Sequence, residues 1–179
     1  PITITADASQ TKEYGAANPI YNYTVEAAGT SRGLVNSDTF TGALSRAAGE
    51  NVGNYAMTQG TLANSNYNIS FVSDTFGITR KDITLTAPSV TKAYDGLTTY
   101  TVTAGDLTSI GSGLVAGDTV TAATISFADK NVASNKAVTL SGVTVSDGNG
   151  GNNYTVTLAG NSTSTITRQT SVTWIGETT

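Results

Sequence analysis

The sequence contains two copies of one pattern, and this internal repeat constrains the fold more than any other feature of the chain. Matching segments recur 80 residues apart in the first half of each copy and 88 residues apart at its end. The growth in spacing places a small insertion in the second copy, most simply at residues 147–151. Because the matches keep their order, the chain is predicted to build one supersecondary design twice. The matched pairs are Tyr14-Gly15 with Tyr94-Asp95-Gly96, Gly33-Leu34-Val35 with Gly113-Leu114-Val115, Asp38-Thr39 with Asp118-Thr119, Asn51-Val52 with Asn131-Val132, Asn66-Tyr67 with Asn153-Tyr154, and Ile78-Thr79-Arg80 with Ile166-Thr167-Arg168.

The repeat predicts two domains, residues 1–80 and 81–168, followed by residues 169–179 as the start of a further repeat or as a tail. The segment Ser171-Val172-Thr173-Trp174 is similar to Asp82-Ile83-Thr84-Leu85, which opens the second copy, and this similarity favours a further repeat. No Gly/Pro-rich linker separates the two copies. Such a short junction favours a stiff array over domains on a flexible tether.

Within each copy, apolar residues alternate with polar ones, and this period of two predicts antiparallel β-strands with one face in a core. The outward positions are mostly Thr, which suits an exposed β surface. The alternating sets are Ile2/Ile4/Ala6, Tyr21/Tyr23/Val25, Tyr67/Ile69/Phe71 and Phe76/Ile78 in the first copy, and Ile83/Leu85/Ala87, Tyr100/Val102/Ala104, Ile125/Phe127, Val138/Leu140, Val143/Val145 and Tyr154/Val156/Leu158 in the second.

One segment alone is a candidate helix. Asp38 would cap it, Phe40, Ala43, Leu44 and Ala47 would form its apolar face, and Gly49 would end it. Gly42 weakens this helix, and the equivalent segment 120–127 of the second copy has the pattern of a strand. Helix and irregular structure therefore both remain open here.

Composition excludes several classes of function. The chain has no Cys and no His, so a Ser-His-Asp triad, a Cys-His dyad, a Cys/His zinc site and a disulfide framework are all ruled out. A net charge of −4 argues against nucleic acid as a partner, because its binders need basic patches. No apolar run approaches the roughly 18 residues of a membrane span. The chain begins at Pro1 without a signal peptide, which predicts a fragment excised from a longer polypeptide.

The candidate sites are few, and no catalytic or cofactor-binding residue is predicted. Asp147, Asn149 and Asn152 place oxygen donors at intervals that suit a calcium loop, although a hairpin loop is the better interpretation. Lys12 and Lys92 are candidates for a Lys-Asn isopeptide crosslink, but a surface lysine lying along the protein is the simpler interpretation.

Two repeated features have structural interpretations. The repeated tyrosines Tyr14 and Tyr94 are expected to be buried beside a tight turn, with Gly15 and Gly96 adopting positive φ. Asp38 and Asp118 stand at equivalent positions of separate copies, so we expect each to form a turn or cap rather than one half of a hydrolytic pair.

Several longer motifs are specific enough to suggest families. The first copy contains Lys12-Glu13-Tyr14-Gly15, Gly42-Ala43-Leu44-Ser45-Arg46, Asn51-Val52-Gly53-Asn54-Tyr55 and Asn66-Tyr67-Asn68-Ile69, and in these it resembles an MBG domain of the YGX type. The second copy contains Thr91-Lys92-Ala93-Tyr94-Asp95-Gly96, Gly117-Asp118, Phe127-Ala128-Asp129-Lys130-Asn131-Val132 and Asn153-Tyr154, and in these it resembles a YDG domain.

The resemblance implies a mainly β fold of two tandem small antiparallel-β domains, β-grasp-like, with at most one short helix each; an immunoglobulin-like β-sandwich is the alternative. It also implies a repeat segment of a large bacterial surface adhesin of the filamentous-haemagglutinin-like kind, secreted or held at the cell surface. No cofactor, enzymatic activity or membrane insertion of this segment is expected.

Two functions remain open for such a segment. The first is a rigid extender, or stalk, used in adhesion or biofilm formation, whose partners are the neighbouring repeats of the same polypeptide. The second is an adhesive module that binds mucin or other host or matrix glycans through loop side chains. The fragment itself is predicted to be a monomer, and no ligand-binding residue is identified.

Overall fold

A computed structural model describes residues 1–29, 33–35 and 37–170, so the proposed further repeat at residues 171–179 lies outside the described residues. The chain divides into two compact units, Pro1–Lys81 and Asp82–Thr179. The family resemblance predicted a mainly β fold, and this is confirmed, because strands form nearly all the regular structure of the described residues.

The first unit builds two small sheets from seven strands. In one sheet β1 lies in the middle, antiparallel to β3 and parallel to β6. In the other, β7 lies between β2, which is parallel to it, and β5, which is antiparallel, and β4 forms the far edge. The strands are β1 (Ile2–Ala6), β2 (Gln10–Glu13), β3 (Tyr23–Val25), β4 (Ser45–Arg46), β5 (Gly53–Thr58), β6 (Ile69–Val72) and β7 (Thr75–Thr79).

The core of the first unit lies where the sequence alternation is strongest. Strand β1 buries every second residue, and β7 does the same with Phe76 and Ile78. Side chains from the loops complete this core. Its buried apolar residues are Ile2, Ile4, Ala6, Tyr14, Leu44, Met57, Leu62, Phe76 and Ile78.

The second unit builds one five-stranded sheet in the order β10-β11-β12-β14-β9, and β13 pairs with β8. Strands β11, β12 and β14 form the antiparallel centre of this sheet, and β9 runs parallel to β14 at its edge. The elements are β8 (Lys81–Thr86), β9 (Thr91–Ala93), β10 (Thr99–Tyr100), α1 (Ala104–Ile110), β11 (Thr119–Phe127), β12 (Ala133–Ser146), β13 (Tyr154–Ala159) and β14 (Asn161–Thr167).

The two units share one strand order, as the repeat predicts. The order β2-β7-β5-β4 of the first unit corresponds to β9-β14-β12-β11 of the second. The third strand differs, because β3 pairs with β1 whereas β10 pairs with β11. Each unit also contains at least one parallel pair, which alternation cannot distinguish from an antiparallel one, since both have a side-chain period of two.

Of the two alternatives left open for residues 38–49, the structure shows irregular chain with the short strand β4. A helix does not form, because Gly42 has φ +80° and the neighbouring Thr41 exchanges backbone hydrogen bonds with Ala63. The one helix of the described residues is α1, in the second unit. Thr103 caps it and Asp106 bonds back to the Thr103 N–H, so the two form a capping box.

Two strand assignments also need correction. Ala104, expected in a strand with Tyr100 and Val102, is the first residue of α1. Val156 and Leu158 were expected on a core face with Tyr154, but they are 38% and 40% exposed. Strand β13 is hydrogen-bonded to β8 alone, in a separate two-stranded sheet.

Candidate functional site

The same tyrosine arrangement occurs in both units. In the first, the Tyr67 hydroxyl donates to Asp38 Oδ2 at 3.0 Å and accepts the Val35 N–H at 2.9 Å. In the second, the Tyr154 hydroxyl donates to Asp118 Oδ2 at 2.5 Å and accepts the Val115 N–H at 2.8 Å. We call each set a tyrosine clamp. Equivalent positions for Tyr67 and Tyr154, which the repeat predicted, are confirmed.

The clamp also closes a turn. The Asp38 N–H donates to Val35 O at 2.9 Å, and the Asp118 N–H donates to Val115 O at 3.0 Å. Each aspartate thus joins a turn to a tyrosine further along the chain. Tyr67 lies 29 residues after Asp38, and Tyr154 lies 36 residues after Asp118. These carboxylates hold structure together, as expected for turn-forming aspartates.

Two tyrosine hydroxyls of the first unit allow a matched test of the clamp. Tyr67→Phe should lower the free energy of unfolding by about 1–2 kcal/mol, because it leaves a backbone N–H and a carboxylate without their partner. Tyr21→Phe should change it by less than about 0.5 kcal/mol, because the buried Tyr21 hydroxyl has no hydrogen-bond partner in the structure. Urea denaturation of both variants measures the difference; equal losses would contradict the role assigned to the clamp.

Lys12 is buried, so the surface interpretation was wrong for this residue, whereas Lys92 is partly buried. Lys12 is 9% exposed, and its ammonium donates to Ala16 O at 3.0 Å and pairs with Glu50 Oε2 at 2.5 Å. Lys92 donates to the carbonyls of Leu97 and Thr99 and pairs with Asp95 Oδ1 at 2.7 Å. Both lysines therefore fasten the loop that follows the repeated tyrosine.

Glu50 joins two cations of the first unit. Besides Lys12, it binds Arg46 at 2.6 Å, and the Arg46 guanidinium lies 4.9 Å from the centre of the Tyr55 ring. The hydrogen bond from Lys12, followed by those from Arg46, lowers the pKa of Glu50 below its ordinary value. The Glu50 side chain is 63% exposed, so this cluster is an ion-pair network at the edge of the unit.

The repeated tyrosine itself differs between the units. Gly15 and Gly96 have φ +78° and +79°, so the predicted glycine turns are confirmed. Tyr14 is buried at 9% exposure, as predicted, but Tyr94 is 39% exposed. Burial of the second tyrosine was therefore a wrong prediction, and an aromatic ring is accessible at this end of the second unit.

The candidate calcium residues lie in a loop whose oxygens already have partners. Asp147 Oδ1 accepts the N–H groups of Asn149 and Gly151, at 2.8 and 2.7 Å, and Asp147 Oδ2 accepts that of Asn153 at 2.9 Å. The Asn152 side chain donates to Asn149 O at 2.8 Å. Burial acts to raise the pKa of Asp147, but the backbone N–H groups outweigh it, so the pKa lies below its ordinary value.

We expect this loop to be insensitive to calcium. Millimolar calcium or a chelator should leave the melting temperature of the second unit unchanged within error. A calcium ion could bind Asp147 only by displacing the three backbone N–H groups that its carboxylate accepts. Differential scanning calorimetry with each additive provides the measurement. A rise of several degrees with calcium, reversed by chelator, would contradict it.

Sequence reasoning missed a cleft of about 370 Å³ in the second unit. It lies between α1 and the start of β11, with Leu107 and Gly111 on the helix side and Asp118 and Val120 on the strand side. The signal that could have revealed it is the Thr103-x-x-Asp106 capping box, which marks the start of a helix where a strand was assigned.

Neither a metal-binding cluster nor a membrane-spanning helix is found among the described residues. No group of three or more acidic side chains within them is placed to hold a metal ion. No helix among them has both the length and the apolar character needed to cross a membrane.

The fold and its repeated clamp define a class, a tandem pair of small β-domains built on one design. The particular domains follow from family comparison: residues 2–77 match the MBG domain of the YGX type, and residues 79–165 match the YDG domain. The chain thus contains an MBG domain of the YGX type followed in tandem by a YDG domain, and the predicted resemblance is confirmed. The pairing fits a repeat segment of a surface-adhesin-like protein. No curated protein and no solved structure is significantly similar to the chain.

Proposed function

We propose that this segment is a non-catalytic, rigid extender in the stalk of a bacterial surface adhesin, acting outside the cell in adhesion or biofilm formation. The observation that carries the proposal is the junction between the units. Strand β7 ends at Thr79 and β8 begins at Lys81, so Arg80 alone separates the two strands. A one-residue connection has little of the conformational freedom of a flexible linker.

The chemistry of both units supports a mechanical role rather than catalysis. The repeated aspartates of the clamps bind tyrosines, and the repeated lysines fasten loops. Recurrent side chains thus serve the fold of each unit. An extender needs this property, since it must keep its shape while other parts of an adhesin meet the target.

Small-angle X-ray scattering tests the extender. Two domains of 80–90 residues held apart should give a radius of gyration of about 20 Å, whereas one compact body of this length should give about 16 Å. A variant with Gly-Ser-Gly-Ser inserted after Arg80 is the matched control, because it keeps both domains and loosens only the junction. A value near 16 Å, or a distribution of sizes that the insertion leaves unchanged, would contradict a rigid extender.

The exposed Tyr94 favours glycan binding as a second candidate function. Strands β9, β11 and β14 all end beside the loop that carries Tyr94, as the bonds from Tyr94 N to Thr167 O and from Phe127 N to Thr98 O show. At this end Leu97 and Val132 are also exposed, at 58% and 42%. An accessible aromatic ring among polar loop residues suits the apolar face of a sugar ring.

Saturation-transfer NMR with galactose, glucose, N-acetylglucosamine and N-acetylgalactosamine tests this second function. At least one of these sugars should receive saturation from the protein, and Tyr94→Ala should abolish the transfer. Val156→Ala is the control, because Val156 has similar exposure but lies on β13. No transfer to any of the four sugars, or an equal loss in both variants, would exclude a glycan site at Tyr94.

A further inference from the structure

The cleft between α1 and β11 has the features of a small binding site. Its volume of about 370 Å³ falls in the range of small-molecule pockets. Leu107 and Val120 supply apolar walls, and Val120 is buried. Gly111 lets the end of α1 approach β11 closely, since a Cβ built there would lie 3.3 Å from Val120 Cγ2. Helix–sheet contacts are normally filled, so an open cleft beside this close approach is noteworthy.

The polar side chains that line the cleft all present oxygen. They belong to Thr108, Ser112, Asp118 and Thr119, and the lining includes no cationic side chain. The Thr108 hydroxyl donates its proton to Ala104 O at 3.0 Å, so its oxygen remains an acceptor. Such a lining favours a ligand that donates hydrogen bonds.

Asp118 gives the cleft a fixed negative charge. The Tyr154 hydroxyl binds one oxygen of this carboxylate, and Tyr154 is only 3% exposed, so the clamp holds Asp118 in place. A carboxylate has about four lone-pair sites and can accept further bonds beside that of Tyr154. A pre-positioned carboxylate next to apolar walls is complementary to an ammonium group on a short alkyl stem.

We propose that this cleft binds a primary ammonium group with a short apolar stem, either as a free alkylamine or as the lysine side chain of a partner protein. The stem lies between Leu107 and Val120, and the ammonium donates to Asp118 and to the hydroxyl oxygens of Thr108 or Thr119. This binding goes beyond the extender role, which requires no ligand.

Titration of the whole chain followed by amide chemical shifts tests the proposal. The probes are n-butylammonium, n-butanol, and N-acetyl-lysine methylamide. Butylammonium should shift the amide signals of Leu107, Gly111 and Thr119 with a dissociation constant on the order of 1 mM, as expected for so few atoms. Butanol should bind at least roughly tenfold more weakly, because it lacks the charge. Binding of the lysine derivative as tight as that of butylammonium would point to a protein partner, and weaker binding to a free amine.

Three variants make the test specific. Asp118→Asn keeps an oxygen that can accept from Tyr154 but removes the charge, so it should weaken the binding of butylammonium roughly tenfold. Asp38→Asn makes the same change in the clamp of the first unit and should leave binding unaltered. Thr108→Leu should block the cleft to every probe, and leucine is a good helix former, so α1 should persist.

Some results would overturn the proposal. Equal affinity for butanol and butylammonium would show that the cleft recognises only the apolar stem and not the charge. Amide chemical-shift changes outside the cleft would show that the probe binds elsewhere. If Asp118→Asn bound butylammonium with unchanged affinity, the Asp118 carboxylate would not be part of the binding site. Absence of any shift at 50 times the expected dissociation constant would exclude binding altogether.

Discussion

Replacing Tyr154 by Ala is expected to lower the free energy of unfolding of the YDG domain by about 3–5 kcal/mol. The side chain is 3% exposed, so the variant loses a buried ring. It also leaves Asp118 and the Val115 N–H without the tyrosine hydroxyl. A loss of this size is a large fraction of the stability of a small domain. Calorimetry should therefore show the YDG transition moved to a much lower temperature.

The MBG domain provides the matched control for this variant. Tyr67→Ala removes the equivalent clamp and should lower the MBG transition while the YDG transition remains where it is. Each unit has its own set of buried residues, which is why we expect two transitions. A single transition that moves as a whole in either variant would contradict independent cores.

Asp147→Ala should destabilise the YDG domain by about 2–4 kcal/mol, because three backbone N–H groups lose their acceptor. One of them belongs to Asn153, which is completely buried and precedes Tyr154 directly. Chemical denaturation with and without the substitution measures the loss. Asp82→Ala is the control, since Asp82 is exposed on β8 and should change stability by less than about 0.5 kcal/mol. Equal effects of the two substitutions would show that the loop does not depend on its carboxylate.

Acid should weaken the YDG domain more than the MBG domain. Hydrogen bonds from Lys92 and Lys136 lower the pKa of Asp95 and Asp129, and the pKa values of Asp106 and Asp147 also lie below the ordinary value. In the MBG domain, the pKa of Glu50 is lowered in the same way.

The sign of the pH effect follows from these lowered pKa values. A carboxyl whose pKa is lowered by folding stabilises the native state above its ordinary pKa of about 4, and this contribution disappears as the pH falls through the lowered value. Melting curves between pH 5 and pH 2 should thus show the YDG transition falling faster. A steeper fall of the MBG transition would contradict the assignment of these carboxylates.

Sequence predicted the parts of the fold that repetition and alternation encode. Ile2, Ile4 and Ala6 alternate strictly and are all buried, because one face of β1 has a core beneath it. Val156 and Leu158 alternate just as strictly but remain exposed, because burial depends on which strands pack nearby. Pairing partners, such as β10 with β11 instead of β8, are set by contacts far apart in sequence and leave no local pattern.

The candidate site was predicted only where both copies share it. The equivalence of Tyr67 and Tyr154 follows from the repeat, but their partners Asp38 and Asp118 could not be assigned, since the hydrogen bonds close long loops. Burial of Lys12 was missed because its partner Glu50 lies 38 residues away. The cleft depends on α1, and the alternation of Tyr100, Val102 and Ala104 hid the capping box that begins it.

The parallel pairs at the edges of the units have a mechanical consequence. Strand β2, near the start of the MBG domain, lies beside β7 at its end, and β9 lies beside β14 in the YDG domain in the same way. Tension that passes beyond the first strands, β1 and β8, pulls the two strands of such a parallel pair in opposite directions along their length. The backbone hydrogen bonds between β2 and β7, from the pair Gln10–Phe76 to the pair Glu13–Thr79, are then loaded together in shear and do not break one after another. If the segment is the proposed extender and carries load, it would therefore yield at high force, and its lifetime under load would be set by the rate of unfolding.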